Sequence, residues 1–117
     1  MNCQEFATLS EYGIDVKVIV LHNDTLGMIV QLQDFFYNHH YSQCTLNKRK
    51  NLPMLAESLG VKGYAIEKQD DLTPVLKEAF AHKGPALVDI RISPEERVYP
   101  TVPGGKALSD MILGGDA

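Results

Sequence analysis

The ten residues Val16-Lys17-Val18-Ile19-Val20-Leu21-His22-Asn23-Asp24-Thr25 decide the fold class. The first six are almost wholly apolar and mostly β-branched, which reads as an interior parallel strand covered on both faces. The polar four that follow form a turn, after which Leu26, Ile29, Val30 and Gln33 recur at helical spacing up to about Tyr37. A strand, a polar turn and a helix in that order set the turn at the carboxyl edge of a sheet, where α/β proteins bind ligands.

The flanking segments extend the alternation. Residues 2–12 are polar with Phe6, Ala7 and Leu9, and Gly13 stops the helix they form. Residues 38–51 have no clean period and read as an ordered loop carrying His39, His40, Tyr41 and the basic triplet Lys48-Arg49-Lys50. Leu52, Leu55, Ala56 and Leu59 mark a helix with Pro53 in its first turn and Gly60 at its end. Val61 to Glu67 alternates as a strand. Asp71 is placed to cap a helix whose stripe, Leu72, Val75, Leu76, Ala79 and Phe80, is the strongest in the chain and predicts a buried face, Phe80 included. Lys83-Gly84-Pro85 ends that helix, and Ala86 to Ile92 gives a third strand.

The order α-β-α-loop-α-β-α-β predicts an α/β fold, three-layer αβα around a mostly parallel sheet. Three strands make a small sheet, so a partner subunit or further strands are expected to cover it. The chain divides into residues 1–94 and a tail, 95–117, whose prolines and Gly-Gly pairs suit it to packing on the domain or a partner. One short helix is expected near Leu108, Met111 and Ile112.

A length of 117 residues with 44% apolar content suffices for one small domain. The formal net charge of -4 argues against nucleic acid and acidic lipid as partners, and the basic triplet reads as solvated loop. Cys3 and Cys44 lack C-x-x-C spacing, so reduced thiols are expected. There is no apolar run of the ~20 residues a membrane span needs and no secretory leader pattern at the N-terminus, so no membrane partner is expected and the cytoplasm, or an organelle matrix, is the expected location.

Most of the reactive side chains read blandly. His39 and His40 are adjacent and point apart, His82 sits at a helix end, and Ser42 and Cys44 lack a nucleophile signature. Asp89, Glu95 and Glu96 are not assigned catalysis, and Gly104-Gly105 lacks the Lys-Ser/Thr of a P-loop. The turn at Asn23 is the exception. Its amide oxygen suits a hard cation, the next backbone carbonyls can bend toward the same point, and the amides of the following helix face an anion. Together these would hold a divalent ion bridging a phosphate; the alternative is an ordinary turn in which Asn23 or Asp24 caps the helix.

The blocks MNCQEFAT (1–8), VKVIVLHNDTLGMIVQLQDFFYNHHYS (16–42), LAESLGVKG (55–63), GPALVDIRI (84–92) and PEERVYPTVPGG (94–105) resemble, in order and spacing, the C-terminal part of acetolactate synthase (acetohydroxyacid synthase) catalytic subunits. The likeness covers essentially the whole chain and implies the second half of a thiamine diphosphate-binding domain. It implies thiamine diphosphate and Mg2+ as cofactors, with FAD bound elsewhere in the complete enzyme. The implied reaction is a transferase step of branched-chain amino acid biosynthesis, joining two pyruvates, or pyruvate and 2-oxobutyrate, with loss of CO2. Implied partners are the rest of the catalytic subunit, further copies in a homo-oligomer and a regulatory small subunit. In the family the first magnesium-binding aspartate precedes the position matched by Met1, and the carboxylate that activates the cofactor belongs to another subunit. The isolated chain is therefore expected to be inactive.

Carried over by position, Asn23 matches the side-chain magnesium ligand and Thr25 the residue whose backbone carbonyl also ligates. Thr25, Leu26, Gly27 and Met28 match the turn at the cofactor, and Met28 would lie beside the substrate channel. The family usually has Asn-Asn where this chain has His22-Asn23, which leaves the ligand intact. It commonly has Trp where this chain has Leu32, between Gln31 and Gln33, and that residue lines the acceptor channel, so Leu32 bears on substrate preference. Another thiamine diphosphate-dependent decarboxylase or ligase, and a noncatalytic interaction domain, are the other readings.

Overall fold

Three short parallel strands carry one of the two units into which the chain divides in a computed structural model, which describes residues 2–46 and 50–114. The first unit comprises Met1–Asn23 and Arg49–Ile92, the second Asp24–Lys48 and Ser93–Ala117. This division follows packing, whereas a cut at residue 94 follows chain order. Lys48 and Arg49 of the basic triplet lie outside the described residues.

In the first unit β1 (Lys17–His22), β2 (Lys62–Ile66) and β3 (Ala86–Arg91) form a parallel sheet in the order β1-β3-β2. β3 is the central strand, with Ala86 opposite both Lys17 and Lys62. This corrects the expectation for 16–21. β1 is at the edge of the described sheet, and Ile19 and Leu21 are 44% and 65% exposed. An apolar run records that a strand is suited to cover, but not which strands flank it.

Adjacent residues of β3 point to opposite faces. Leu87 packs with Ala56 and Val61, joined by Phe6 of α1 (Glu5–Glu11) and Leu52 of α3 (Leu52–Ser58). Val88 packs with Ile66 and Ala79, joined by Leu72, Val75 and Leu76 of α4 (Leu72–Ala81). The unit is thus helix, sheet, helix, as the alternation predicts.

Local chemistry sets the boundaries. Asn51 caps α3 by accepting from the Met54 amide at 2.9 Å, and Pro53 lies in the first turn. Gly60 follows with φ +79°, the left-handed geometry that glycine adopts without cost. At Gly63 of β2 a Cβ would stand 2.6 Å from the Pro53 carbonyl oxygen, so the missing side chain lets α3 close onto the sheet. Asp71 holds the N-cap position of α4 without a side-chain bond, because a 3-10 turn, Gln69–Asp71, winds directly into the helix with Asp71 in a helical conformation. Phe80 departs from expectation: it is 61% exposed while the rest of its stripe packs on the sheet.

The second unit is built on α2 (Gly27–Phe36), with the loop after it and the tail. Val30, Gln31 and Cys44 are its buried residues among those described. The tail folds back through a Thr101–Ile112 bridge, and its short helix is a 3-10 turn at Leu108–Asp110. Cys3 is exposed, Cys44 is buried, and both are free thiols.

Candidate functional site

β1 ends in the first unit at His22 and Asn23. The His22 side chain turns back over the sheet, where its Nδ1 lies 3.0 and 3.2 Å from the two carboxylate oxygens of Asp89 on β3. Both side chains are nearly covered, so the carboxylate accepts from a protonated Nδ1 and fixes the ring. The bond anchors the residue immediately before Asn23. A cavity of 170 Å3 opens at the same carboxyl edge, lined by Asn51, Pro53, Ala65, Glu67, Asp89 and Arg91 among others. In parallel sheets this is the edge where ligands bind.

The second unit begins with a constrained turn. Asp24 takes φ +55°, a conformation that aspartate tolerates better than most residues. Thr25 faces Thr45 across an antiparallel bridge, flanked by bonds of 2.8 Å from the Leu26 amide to Cys44 O and from the Leu46 amide to Asp24 O. Opposed residues in a pair of this kind turn their own N–H and C=O groups away from each other. The Thr25 carbonyl is therefore directed away from the loop.

Leu26 occupies the N-cap position of α2 with no side-chain bond of its own. The amides of Ile29 and Val30 are the first to close back, both onto Leu26 O, at 2.9 and 3.0 Å. Those of Gly27 and Met28 precede them and point out of the helix start, the geometry that favours an anion.

Further along α2, Met28 and Leu32 line one cavity of 150 Å3, together with Gln31 and Phe35 and with Thr101–Gly104 of the tail. Both are about half exposed. A larger cavity, 610 Å3, lies beside Asp34, His39, Tyr41, Arg97 and Tyr99. Asp34 is its hub, accepting from the Tyr41 hydroxyl at 2.5 Å, from Arg97 Nε at 2.6 Å and from His39 Nδ1 at 3.1 Å. Burial alone would raise the Asp34 carboxyl, but the bonds from Tyr41, Arg97 and His39 outweigh it and bring the pKa down to about 2.

Thr25, Leu26, Gly27 and Met28 thus stand together at the start of α2, and Met28 and Leu32 share a cavity, while Asn23 closes the strand of the other unit. Sequence reasoning missed the His22–Asp89 pair, Gln31 and the Asp34 hub. Asp89, Val98 and Arg97, the partners of His22, Gln31 and Asp34, lie 63 to 67 positions away, beyond any local signal, although Asp34 also bonds His39 and Tyr41 nearby. Among the described residues no three His, Cys, Asp or Glu side chains gather as metal ligands; side-chain amide and backbone carbonyl oxygens are also donors that hard cations accept. No described helix is long and apolar enough to cross a membrane.

A family model described as the thiamine pyrophosphate enzyme C-terminal TPP binding domain matches residues 1–90. The mitochondrial acetolactate synthase of Schizosaccharomyces pombe is 42% identical over 113 residues, covering 97% of this chain and 17% of that protein. The acetolactate synthase large subunit of Haemophilus influenzae is 42% identical over 114 residues, 97% of this chain and 20% of that protein. The probable acetolactate synthase large subunit of Methanocaldococcus jannaschii is 41% identical over 112 residues, 96% of this chain and 19% of its own length. The chain therefore spans no more than a fifth of the relatives it matches. Among solved structures, the thiamine diphosphate-dependent 4-hydroxybenzoylformate decarboxylase of Rhodococcus jostii RHA1 superposes with a TM-score of 0.68 at 26% identity, over 75% of this chain and 16% of that one.

Proposed function

The chain belongs to the thiamine pyrophosphate enzymes, through their C-terminal TPP-binding domain, and on that premise we propose that it is the magnesium- and diphosphate-binding part of an acetolactate synthase catalytic subunit. The observation that carries this reading is the turn between β1 and α2. A side-chain amide at Asn23, a Thr25 carbonyl directed away from its bridge and the leading amides of α2 follow one another within six residues. That donor set fits a hard divalent cation with a phosphate beside it.

In this reading Asn23 gives the cation its amide oxygen and Thr25 a backbone oxygen, while Gly27 and Met28 present N–H groups to the diphosphate. Gly27 lets the anion approach the backbone closely, and Leu26 is part of the same cofactor-facing turn. Met28 and Leu32 shape the substrate channel. Bound there, thiamine diphosphate would supply the electron sink that allows a 2-oxoacid to lose CO2 and its remainder to join a second 2-oxoacid. His22, held by Asp89, steadies the strand end before Asn23.

The substrates are pyruvate and 2-oxobutyrate, and the partners are the remainder of the catalytic subunit, like copies in an oligomer and a regulatory small subunit. FAD belongs to the complete enzyme outside these residues. Residues 1–94 act as the domain portion and 95–117 as its tail, in the cytoplasm or an organelle matrix. A second reading, a decarboxylase or ligase of another 2-oxoacid, is favoured by Leu32 at a channel position and by the fold likeness to a 2-oxoacid decarboxylase.

The test is thiamine diphosphate titration at fixed magnesium, with product analysis, on the complete subunit and on its Asn23→Ala variant. The variant is expected to weaken cofactor binding at least tenfold with little change in denaturant midpoint, since an oxygen ligand is lost and almost no apolar packing. Unchanged cofactor affinity would remove Asn23 from the site. A decarboxylated aldehyde in place of 2-acetolactate would favour the second reading.

A further inference from the structure

Gln31 is 3% exposed and makes two bonds to one residue of the tail: its Nε2 donates to Val98 O at 3.1 Å, and the Val98 amide donates to its Oε1 at 2.9 Å. A primary amide carries a donor and an acceptor side by side, so it engages a backbone as a neighbouring strand would. Gln33 does the same to the loop, donating to Ser42 O at 3.1 Å and accepting from its amide at 3.3 Å. Side chains two positions apart on a helix point about 200° apart, so the two amides hold tail and loop on opposite flanks of α2. Leu32 lies between them and lines the 150 Å3 cavity, whose facing wall is Thr101–Gly104, three residues beyond the clamped Val98.

We propose that Gln31 is a positioning residue for this cavity: its paired bonds to Val98 fix the tail wall opposite Met28 and Leu32 and thereby set which 2-oxoacid the cavity admits. The second half of that statement rests on the substrate-channel reading of Met28 and Leu32 given above. The first half does not. A buried clamp of this kind is specific in a way apolar packing is not, because displacing the tail would leave a buried amide with neither donor nor acceptor matched.

The experiment uses the complete catalytic subunit with Gln31→Met, which keeps length and burial but removes both bonds, and Gln33→Met as the contrasting clamp. Amide hydrogen exchange is expected to quicken about tenfold or more at Val98 in the first variant and at Ser42 in the second, each leaving the other segment near wild type. With pyruvate and 2-oxobutyrate supplied together, Gln31→Met is expected to shift the ratio of the two condensation products about threefold or more, a part of the roughly tenfold or greater discrimination that one methylene carries in a well-fitted pocket. Unchanged exchange at Val98 would overturn the clamp, and fast exchange with an unchanged product ratio would overturn its effect on the cavity. If Gln31→Met does not fold, Gln31→Glu keeps the acceptor and loses the donor; intermediate values of both readouts support the proposal, and wild-type values of both overturn it. A wild-type enzyme that forms neither product would refute the proposed function, and exchange at Val98 would still decide the clamp.

Discussion

The two units are held by different forces. In the first, Ala56, Val61 and Leu87 on one face of the sheet and Ile66, Ala79 and Val88 on the other bury apolar surface between helix and strand. In the second, the tail is tied by polar bonds, Gln31 to Val98 and Asp34 to Arg97, and the loop by the short-range bond of Asp34 to Tyr41. Apolar burial is non-directional and scales with area, so a scaffold built on it tolerates small displacements. Hydrogen bonds to a fixed amide or carboxylate demand particular atoms at particular distances. The scaffold therefore carries the stability, and the unit with the Met28–Leu32 cavity carries the defined geometry.

The comparison breaks most readily at Leu87. Leu87→Ala removes a side chain 2% exposed from the centre of the sheet and is expected to cost about 2–5 kcal/mol, read from urea midpoints. A cost below about 1 kcal/mol would mean that the first unit is not held by this core.

Acid sharpens the contrast. The Asp34 carboxyl lies at about 2, below its ordinary value of 3.8, so its contribution is complete above that ordinary value and is lost as pH falls through about 2. The expected loss is about 1–2 kcal/mol, less than full linkage gives because Arg97 and the exposed Tyr41 are partly screened by water. Exchange at the tail amides between pH 5 and pH 2 measures it, with Asp34→Asn expected to be loosened already at pH 5 and flat across that range. A tail whose protection in the native protein does not change over that range would show that the Asp34 hub does not hold it. The Tyr41 phenol, bonded to the same carboxylate, is pushed above its usual 10.

How much of this was legible follows from the same contrast. The strands at 17–22 and 86–91 and the helices at 52–58 and 72–81 announce themselves through apolar spacing within a dozen residues, because each element must present one face to the sheet. The turn at Asn23 was legible as a strand-to-helix connection for the same reason, since β1 and α2 bracket it. The sheet order was not, because pairing depends on residues far apart in sequence, and β3 rather than β1 takes the centre. Nor were Gln31 and Asp34: a glutamine and an aspartate on a helix look like surface residues until the tail returns some 65 positions later.

The smallest expected effect concerns Phe80, and it sets the limit of the helical stripe. Leu72, Val75, Leu76 and Ala79 fall within about 100° of arc on α4, and Phe80, one residue past Ala79, is turned a further 100° by the helix. That rotation carries the ring off the contact face, and it is 61% exposed where Ala79 is 1% exposed. Most of its transfer free energy is therefore never gained, and alanine has the better helix propensity, so Phe80→Ala is expected to change stability by about 0.5 kcal/mol or less. Urea melts of this chain measure it directly. A loss near 3–5 kcal/mol would be that of a fully buried ring, and it would place Phe80 with the apolar core of the first unit instead of at its margin.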